Sequence, residues 1–469
     1  MKSLDLLLTH GYFLHEDPKE LQIMKPYAPL GILYLTSYLR SKGFCVEVFD
    51  STFSSLREVF KLLSSMPPAV LGVYATLMTR RTVVEILRVA KEAGWQTIVG
   101  GPEPAAYISE YLKAGADVVV VGEGEVTLEE LLSALPTRKT ADLKRIDGIA
   151  FRDDDGTVYR TAPRTQISDL DQQPWPCRNS ISIEKYLETW RTHHNVGSVS
   201  IITARGCPYH CRWCSHAVYG KTHRRRKPAL VVDELEWILN RYSPDMLWIA
   251  DDVFTIHHGW IFDFLKEMKL RGLKIPFECI SRADRLNERI VDALAELGCF
   301  RVWIGSESGS QRLLDAMERG VTVEQVQTAV RLCKSRSIQT GMFLMWGYEG
   351  EGLQDIEATM THVKQSDPDI FFTTVAYPIK GTPYFDEVAQ RVVSDKPWVE
   401  SSDREFRVAG RHSRRFYQYA DQVLHAEVEL SRLMSDRKDP GADPLAEDLR
   451  VKIAQAREGM RSSILETEA

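Results

Sequence analysis

A chain of 469 residues, 44% hydrophobic and 26% charged, is long enough for two domains with buried cores and too apolar for a disordered chain. Its formal net charge of −6 excludes a general electrostatic pull toward nucleic acid, and no run of about 18 apolar residues marks a membrane span. The opening "MKSLDLLLTHGYF" is too short in apolar residues for a signal peptide, so the cytoplasm is the expected compartment and the eight cysteines are not expected to form a disulfide framework.

Strand and helix signals alternate over residues 1–135. Strands are expected at 4–8, 45–50, 69–75, 96–101 and 117–125, and helices at 29–43, 54–65, 79–94, 103–115 and 126–135. Apolar strands between amphipathic helices predict an α/β fold with an N-terminal doubly wound parallel sheet. Ligands of such sheets sit beyond the carboxyl ends of the strands, where this chain places "ATLM", "GGPEP" and "GEGE". Residues 136–195 are polar and rich in turn residues. They read as a linker with a small hairpin around Asp155 and Gly156.

A second alternating unit spans 196–384. Strands are expected at 198–204, 246–252, 276–282, 301–308, 339–347 and 369–378, with helices between them. Six βα repeats predict a partial (βα)6 barrel of the TIM type, whose active face lies at the carboxyl strand ends. Thr203, Asp251, Asp252, Arg282, Glu307, Ser308, Gly347 and Tyr377 stand at those ends. The basic run "KTHRRRK" (221–227) reads as a solvated loop before the helix that starts near Pro228, or as a local phosphate or carboxylate contact. Residues 385–469 read as a charged helical region broken at "DRKDPGADP".

The first barrel strand is followed by "TARGCPYHCRWCSH" (203–216), with Cys207, Cys211 and Cys214 spaced C-x-x-x-C-x-x-C. Thiolates are soft ligands that suit zinc, copper(I) or iron–sulfur centres. Zinc normally takes four protein ligands, and His210 and His216 are near enough in sequence to be the fourth. Three thiolates on a four-iron cluster instead leave one iron open to a substrate or cofactor. Trp213, one residue before the last cysteine, offers an aromatic face to a planar group or packs within the loop.

The pattern C-x-x-x-C-x-φ-C, with aromatic φ at Trp213, resembles that of radical S-adenosylmethionine enzymes. The resemblance extends over "WIADDVFT", "SRADRL", "GSESGS" and "GMFLMWGYEGE", to about residue 384. It implies a [4Fe–4S] cluster on Cys207, Cys211 and Cys214. It also implies S-adenosylmethionine contacts from Trp213, Asp251, Arg282, Glu307, Ser308 and Gly347, with cleavage to a 5′-deoxyadenosyl radical. "PLGILYLTSYLRSKG", "IVGGPEP" and "VVVVGEGEVTLEELL" resemble the cobalamin-binding domain that precedes many such barrels. That likeness places cobalamin against Thr76, Leu77, Met78, Gly100, Gly101, Pro102, Gly122, Glu123 and Gly124. The D-x-H-x-x-G motif of many cobalamin domains is missing, since His10 has no Asp two residues before it, so no histidine lower ligand is expected.

The resemblance implies a cobalamin-dependent enzyme that methylates an unactivated carbon. Its alternatives are oxidative cyclisation or rearrangement, as in relatives like the anaerobic magnesium-protoporphyrin ester cyclase. A zinc-stapled binding protein is the alternative of another class. The expected partners are a small-molecule, lipid or tetrapyrrole-like substrate and an external electron donor of the flavodoxin or ferredoxin type, with no nucleic acid.

Overall fold

The computed structural model describes residues 3–135, 140–436 and 443–468. They form two compact units. One comprises residues up to Pro208, Ser215–Asp251 and Lys396–Ser402, and the other comprises Tyr209–Cys214, Asp252–Asp395 and the residues from Asp403 on.

In the first unit, β1 (Leu6–His10), β2 (Val46–Phe49), β3 (Val70–Tyr74), β4 (Gln96–Gly100) and β5 (Val118–Val120) form a parallel sheet in the order β2-β1-β3-β4-β5. The period of two along a strand sends alternate side chains to opposite faces. Leu7, Val73, Val99 and Val119 pack on one face against Val83, Ile86, Leu87 and Tyr111. Leu6, Leu8, Ile98, Val118 and Val120 pack on the other against Ile32, Leu39, Leu128 and Leu131. Helices therefore cover both faces, as the unbroken apolar strands require.

Three expectations change in this unit. The helix expected at 103–115 splits into a 3-10 turn, Pro104–Ala106, and a helix, Ile108–Lys113, separated at Tyr107 by a non-helical backbone (φ −128°, ψ 38°). The hairpin around Gly156 does not stand free in a linker. Its strands β6 (Ile149–Arg152) and β7 (Val158–Arg160) extend the sheet antiparallel, with Phe151 opposite Val118. The polar stretch before residue 195 contains a helix, Ile183–His194, that buries Ile183, Tyr186, Leu187 and Trp190 as one stripe.

The first unit also holds β8 (Ser198–Ile201) and β9 (Met246–Ile249), paired in parallel and joined through the helix Pro228–Tyr242. Of the two readings of the basic run, the carboxylate contact holds and the solvated loop does not. Arg224, Arg225 and Arg226 pair with the buried carboxylates of Glu123, Asp251 and Glu234 respectively. Their charges leave water because each meets an acid from elsewhere in the unit.

In the second unit, β10 (Phe277–Ser281), β11 (Cys299–Glu307), β12 (Gln339–Trp346) and β13 (Ile370–Val375) pair in parallel in chain order. These four and the β8–β9 pair of the first unit fall at the six places in the sequence where βα strands are expected. Helices Arg414–Asp436 and Pro444–Ser463 supply the helical region near the chain's end. Residues 389–413 depart from the helical expectation: beyond the short helix Pro383–Val388, Val392–Val393 pairs antiparallel with Arg407–Val408. Residues 437–442 of the expected helix break lie outside the described residues. Among the described residues no helix is long and apolar enough to cross a membrane.

Candidate cluster and cofactor sites

The carboxyl ends of β1 to β5 carry the expected cobalamin contacts. Beyond β3, the backbone N–H groups of Thr76 and Met78 bond to the hydroxyls of Thr79 and Thr76, at 3.0 and 3.3 Å. This turn leaves Leu77 half-buried and Met78 49% exposed. Gly100 ends β4, Gly101 and Pro102 follow it, and Gly100 O accepts from Ala75 N at 2.8 Å. Gly101 has φ +118°, and a Cβ there would lie 2.3 Å from Ala75 O, so only glycine keeps these two strand ends together.

Gly122, Glu123 and Gly124 follow β5. Glu123 is buried and accepts from Ile167 N at 2.8 Å, Arg205 Nη1 at 2.8 Å and Arg224 Nη1 at 2.7 Å. Arg205 also pairs with Glu125 at 2.7 Å. The Glu123 side chain is thus occupied within the protein, which leaves the Gly122 and Gly124 backbone as the groups this turn offers. Arg205 stands two residues before Cys207, so this buried ion cluster also fixes the start of the cysteine loop.

His10 ends β1 with both ring nitrogens engaged: Nε2 lies 3.1 Å from Asp50 Oδ1 and Nδ1 lies 2.9 Å from Ser51 Oγ. Asp50 in turn accepts from Tyr186 OH at 2.9 Å.

Asp251 receives Thr203 N at 2.6 Å, Ala204 N at 3.0 Å and Arg225 Nη2 at 3.2 Å. Burial pushes its carboxyl up, against the opposing pull of Arg225 and Thr203. Here Asp251 anchors the residues that lead into the cysteine loop.

In the second unit, residues 209–214 are tied down by their backbone. Cys214 N donates to Cys211 O at 3.1 Å, Arg212 N to Met317 O at 3.1 Å, and Tyr384 N to Arg212 O at 2.9 Å. Trp213 packs in an apolar cluster with Met317, Met345, Tyr348, Tyr384 and Val408. Of the three cysteines, Cys211 is buried, Cys207 half-buried and Cys214 exposed. Among the described residues no group of three or more His, Cys, Asp or Glu is placed to hold a single metal ion.

Arg319 Nη1 lies 3.8 Å from Cys211 Sγ, and its Nη2 donates to Gly305 O at 2.8 Å. Its Nε stands 3.6 Å from Glu307, a residue held at φ +62°. Burial raises the Glu307 carboxyl, with Arg319 and Arg282 pulling the other way. Arg282 donates to Arg319 O at 2.8 Å and stacks 3.5 Å above the Tyr209 ring, and its Nη1 is buried with no partner. Ser308 shares a 3.1 Å hydrogen bond with Thr359. Arg319 escaped the sequence reading because nothing in "MERG" signals a partner 108 residues away.

Gly347 donates to Glu351 Oε2 at 2.5 Å. Glu351 was also missed, although it closes "GYEGE", an acid in a glycine-rich strand end. Burial pushes its carboxyl from 4.5 up to about 8, against the Gly347 hydrogen bond, and Oε1 is buried with no partner among the described residues. Between these values the folded state holds a proton that the unfolded state lacks, so stability falls as pH rises. Relative to Glu351→Gln, the wild type is expected to lose stability from about pH 5 to about pH 8 and to level off above, with a limiting slope of roughly 1.4 kcal/mol per pH unit. Urea midpoints of both proteins across that range check this, and parallel profiles would contradict it.

Residues 23–132 match the model of the B12 binding domain, and residues 201–363 match that of the Radical SAM superfamily. An uncharacterized methyltransferase of Pyrococcus horikoshii is 30% identical over 363 residues, 76% of this chain and 77% of that one. The anaerobic magnesium-protoporphyrin IX monomethyl ester cyclase of Rubrivivax gelatinosus is 27% identical over 381 residues, 79% of this chain and 68% of that one. The fold matches the methyltransferase TsrM from Kitasatospora setae, solved with cobalamin and a [4Fe–4S] cluster, at TM-score 0.69 and 22% identity, covering 86% of this chain and 84% of that one. It also matches OxsB with aqua-cobalamin at TM-score 0.73 and 19% identity, covering 97% of this chain and 71% of that one. With a B12-binding sheet, a radical S-adenosylmethionine barrel and a relative this similar along most of its length, the chain belongs to the cobalamin-dependent radical S-adenosylmethionine enzymes of the methyltransferase and cyclase-like families.

Proposed function

We propose that this enzyme methylates an unactivated carbon of a small molecule in the cytoplasm, drawing electrons from a flavodoxin- or ferredoxin-type donor. The observation that carries the reading is the 30% identity, over 363 residues and 76% of this chain, to an uncharacterized methyltransferase, beside the matches to the B12-binding and Radical SAM models. Residues 1–135 are proposed to bind cobalamin, 196–384 to form the radical barrel, 136–195 to link them and 385–469 to complete the barrel's surroundings.

In this reading Cys207, Cys211 and Cys214 hold the cluster. Asp251, Arg282, Glu307, Ser308 and Gly347 surround S-adenosylmethionine, and Trp213 backs the cluster loop through its apolar packing. The turns at Thr76–Met78, Gly100–Pro102 and Gly122–Gly124 take the cobalamin. When bound, the cluster supplies the electron that cleaves S-adenosylmethionine, and cobalamin carries the methyl group. The protein orients these groups and excludes water. The engagement of both His10 nitrogens supports a cobalamin without a histidine lower ligand.

Turnover with methyl-labelled S-adenosylmethionine tests this. A methylase forms 5′-deoxyadenosine and S-adenosylhomocysteine together and delivers one labelled carbon to product. The second reading, oxidative cyclisation, is favoured by the 27% identity to the Rubrivivax cyclase, and it gives 5′-deoxyadenosine with no label in product.

A further inference from the structure

Gly347 follows the last residue of β12 with φ +70°. Its N–H goes to the Glu351 carboxylate, and its carbonyl accepts from Arg411 Nη1 at 3.3 Å. A Cβ on Gly347 would meet Arg411 Cδ and the Tyr417 ring at 2.9 Å, so residues from the C-terminal region fill the space a side chain would take. Arg411 Nη1 donates also to Ala376 O, just beyond β13, so one guanidinium spans two adjacent strand ends.

The guanidinium is itself fixed. Arg411 Nη2 and Nε donate to Glu468 Oε2 at 2.7 and 3.2 Å, with side chains only 8% and 2% exposed. Glu468 Oε2 also accepts from Val408 N at 2.9 Å. The backbones close the pair from both sides: Gly410 N donates to Glu468 O at 3.0 Å, and Glu468 N to Arg411 O at 2.8 Å. Val408 packs in the apolar cluster that contains Trp213, the residue just before Cys214. The segment that carries the pair therefore reaches both the Gly347 turn and the cysteine loop. It lies beyond residue 363, where the match to the Radical SAM family ends.

We propose that Arg411 and Glu468 are positioning residues for S-adenosylmethionine, holding the Gly347 turn at the end of β12 from the far end of the chain. This rests on the reading above that Gly347 borders S-adenosylmethionine. Neither residue touches the substrate. Glu468 neutralises and aims Arg411, and Arg411 fixes the two strand-end carbonyls. An unpaired Arg411 would be pulled toward water, releasing the Gly347 carbonyl.

The test uses the full chain, reconstituted anaerobically, as wild type, Glu468→Gln, Arg411→Lys, Arg411→Met and, as a control, the exposed Glu466→Gln. Glu468→Gln keeps the shape and removes the charge, which guards against a variant that fails to fold. It is expected to raise both the dissociation constant of S-adenosylmethionine in equilibrium dialysis and the KM for 5′-deoxyadenosine formation on the order of tenfold, the weight of one buried charged hydrogen bond. Iron content is expected to stay at the wild-type level and kcat within about twofold, a change too small to signal a lost catalytic group. Arg411→Lys is expected to weaken binding less than Arg411→Met, because it keeps the charge. Before reconstitution, amide exchange across residues 341–352 is expected to quicken in Glu468→Gln and not in Glu466→Gln. Wild-type binding with a lowered melting temperature shows a structural role only and overturns the proposal. A fall in kcat at unchanged KM overturns it as well. Wild-type protein that binds no S-adenosylmethionine removes the underlying reading and the proposal with it.

Discussion

Replacing any one of Cys207, Cys211 or Cys214 with serine is expected to reduce S-adenosylmethionine cleavage to background and to lower the iron retained per chain. In the proposed assignment each thiolate would serve one iron with none to spare, since the iron left open would be the one the reaction uses. A serine oxygen is a harder ligand with a far higher pKa and does not replace the thiolate. The remaining cysteines provide the control. Cys279, Cys299 and Cys333 are buried in the second unit, and burial pushes the Cys333 thiol up to about 12, so it stays protonated at neutral pH. Cys333→Ala should retain iron and activity. Iron analysis and 5′-deoxyadenosine formation read both arms, and a serine variant of the cluster loop that still cleaved S-adenosylmethionine would refute the ligand assignment.

The second large effect concerns stability. Glu234 is fully buried, with one carboxylate oxygen 2.6 Å from Arg178 Nη1 and the other paired with Arg226, and Arg178 Nη2 reaches Ser200 O on β8 at 3.0 Å. Removing this carboxylate strands two guanidinium groups away from water. Breaking a buried pair in this way typically costs about 3–5 kcal/mol. Glu234→Ala is therefore expected to lower the stability of the first unit by about that amount, enough to lower soluble yield. Arg88→Ala is the contrast. Its partner Glu92 is one helical turn away, both side chains are more than half exposed, and the expected change is under about 0.5 kcal/mol. Urea unfolding of both variants checks the ranking. A Glu234→Ala shift as small as that of Arg88→Ala would mean that the triad is well solvated.

Much of the fold was legible because apolar period and chain order carry it. The strands at β1 to β5 and β8 to β13 announce themselves as short apolar runs between amphipathic helices. The cysteine spacing is likewise local, so the cluster loop stood out at once. What was not legible depends on distant partners. "GIAF" is apolar enough for a strand, but nothing nearby says that Phe151 pairs with Val118. The stripe Ile183, Tyr186, Leu187 and Trp190 was present in the sequence and was masked by polar neighbours. The three consecutive arginines looked solvated because their acids, Glu123, Asp251 and Glu234, come from three separate places in the chain. At the sites, Arg319, Arg411 and Glu468 gave no local signal, since each acts on a group more than thirty residues away. Trp213 was foreseen as either a cofactor face or loop packing, and its packing in the structure is apolar.

The most direct test of the central claim is one measurement on the full chain, purified and reconstituted without oxygen. Iron, sulfide, cobalt and zinc are quantified, dithionite and S-adenosylmethionine are added, and 5′-deoxyadenosine is followed. The account predicts about four irons with matching sulfide, cobalamin retained in proportion to the chain, and steady formation of 5′-deoxyadenosine. Zinc in place of iron, or a cluster that leaves S-adenosylmethionine intact, would contradict it.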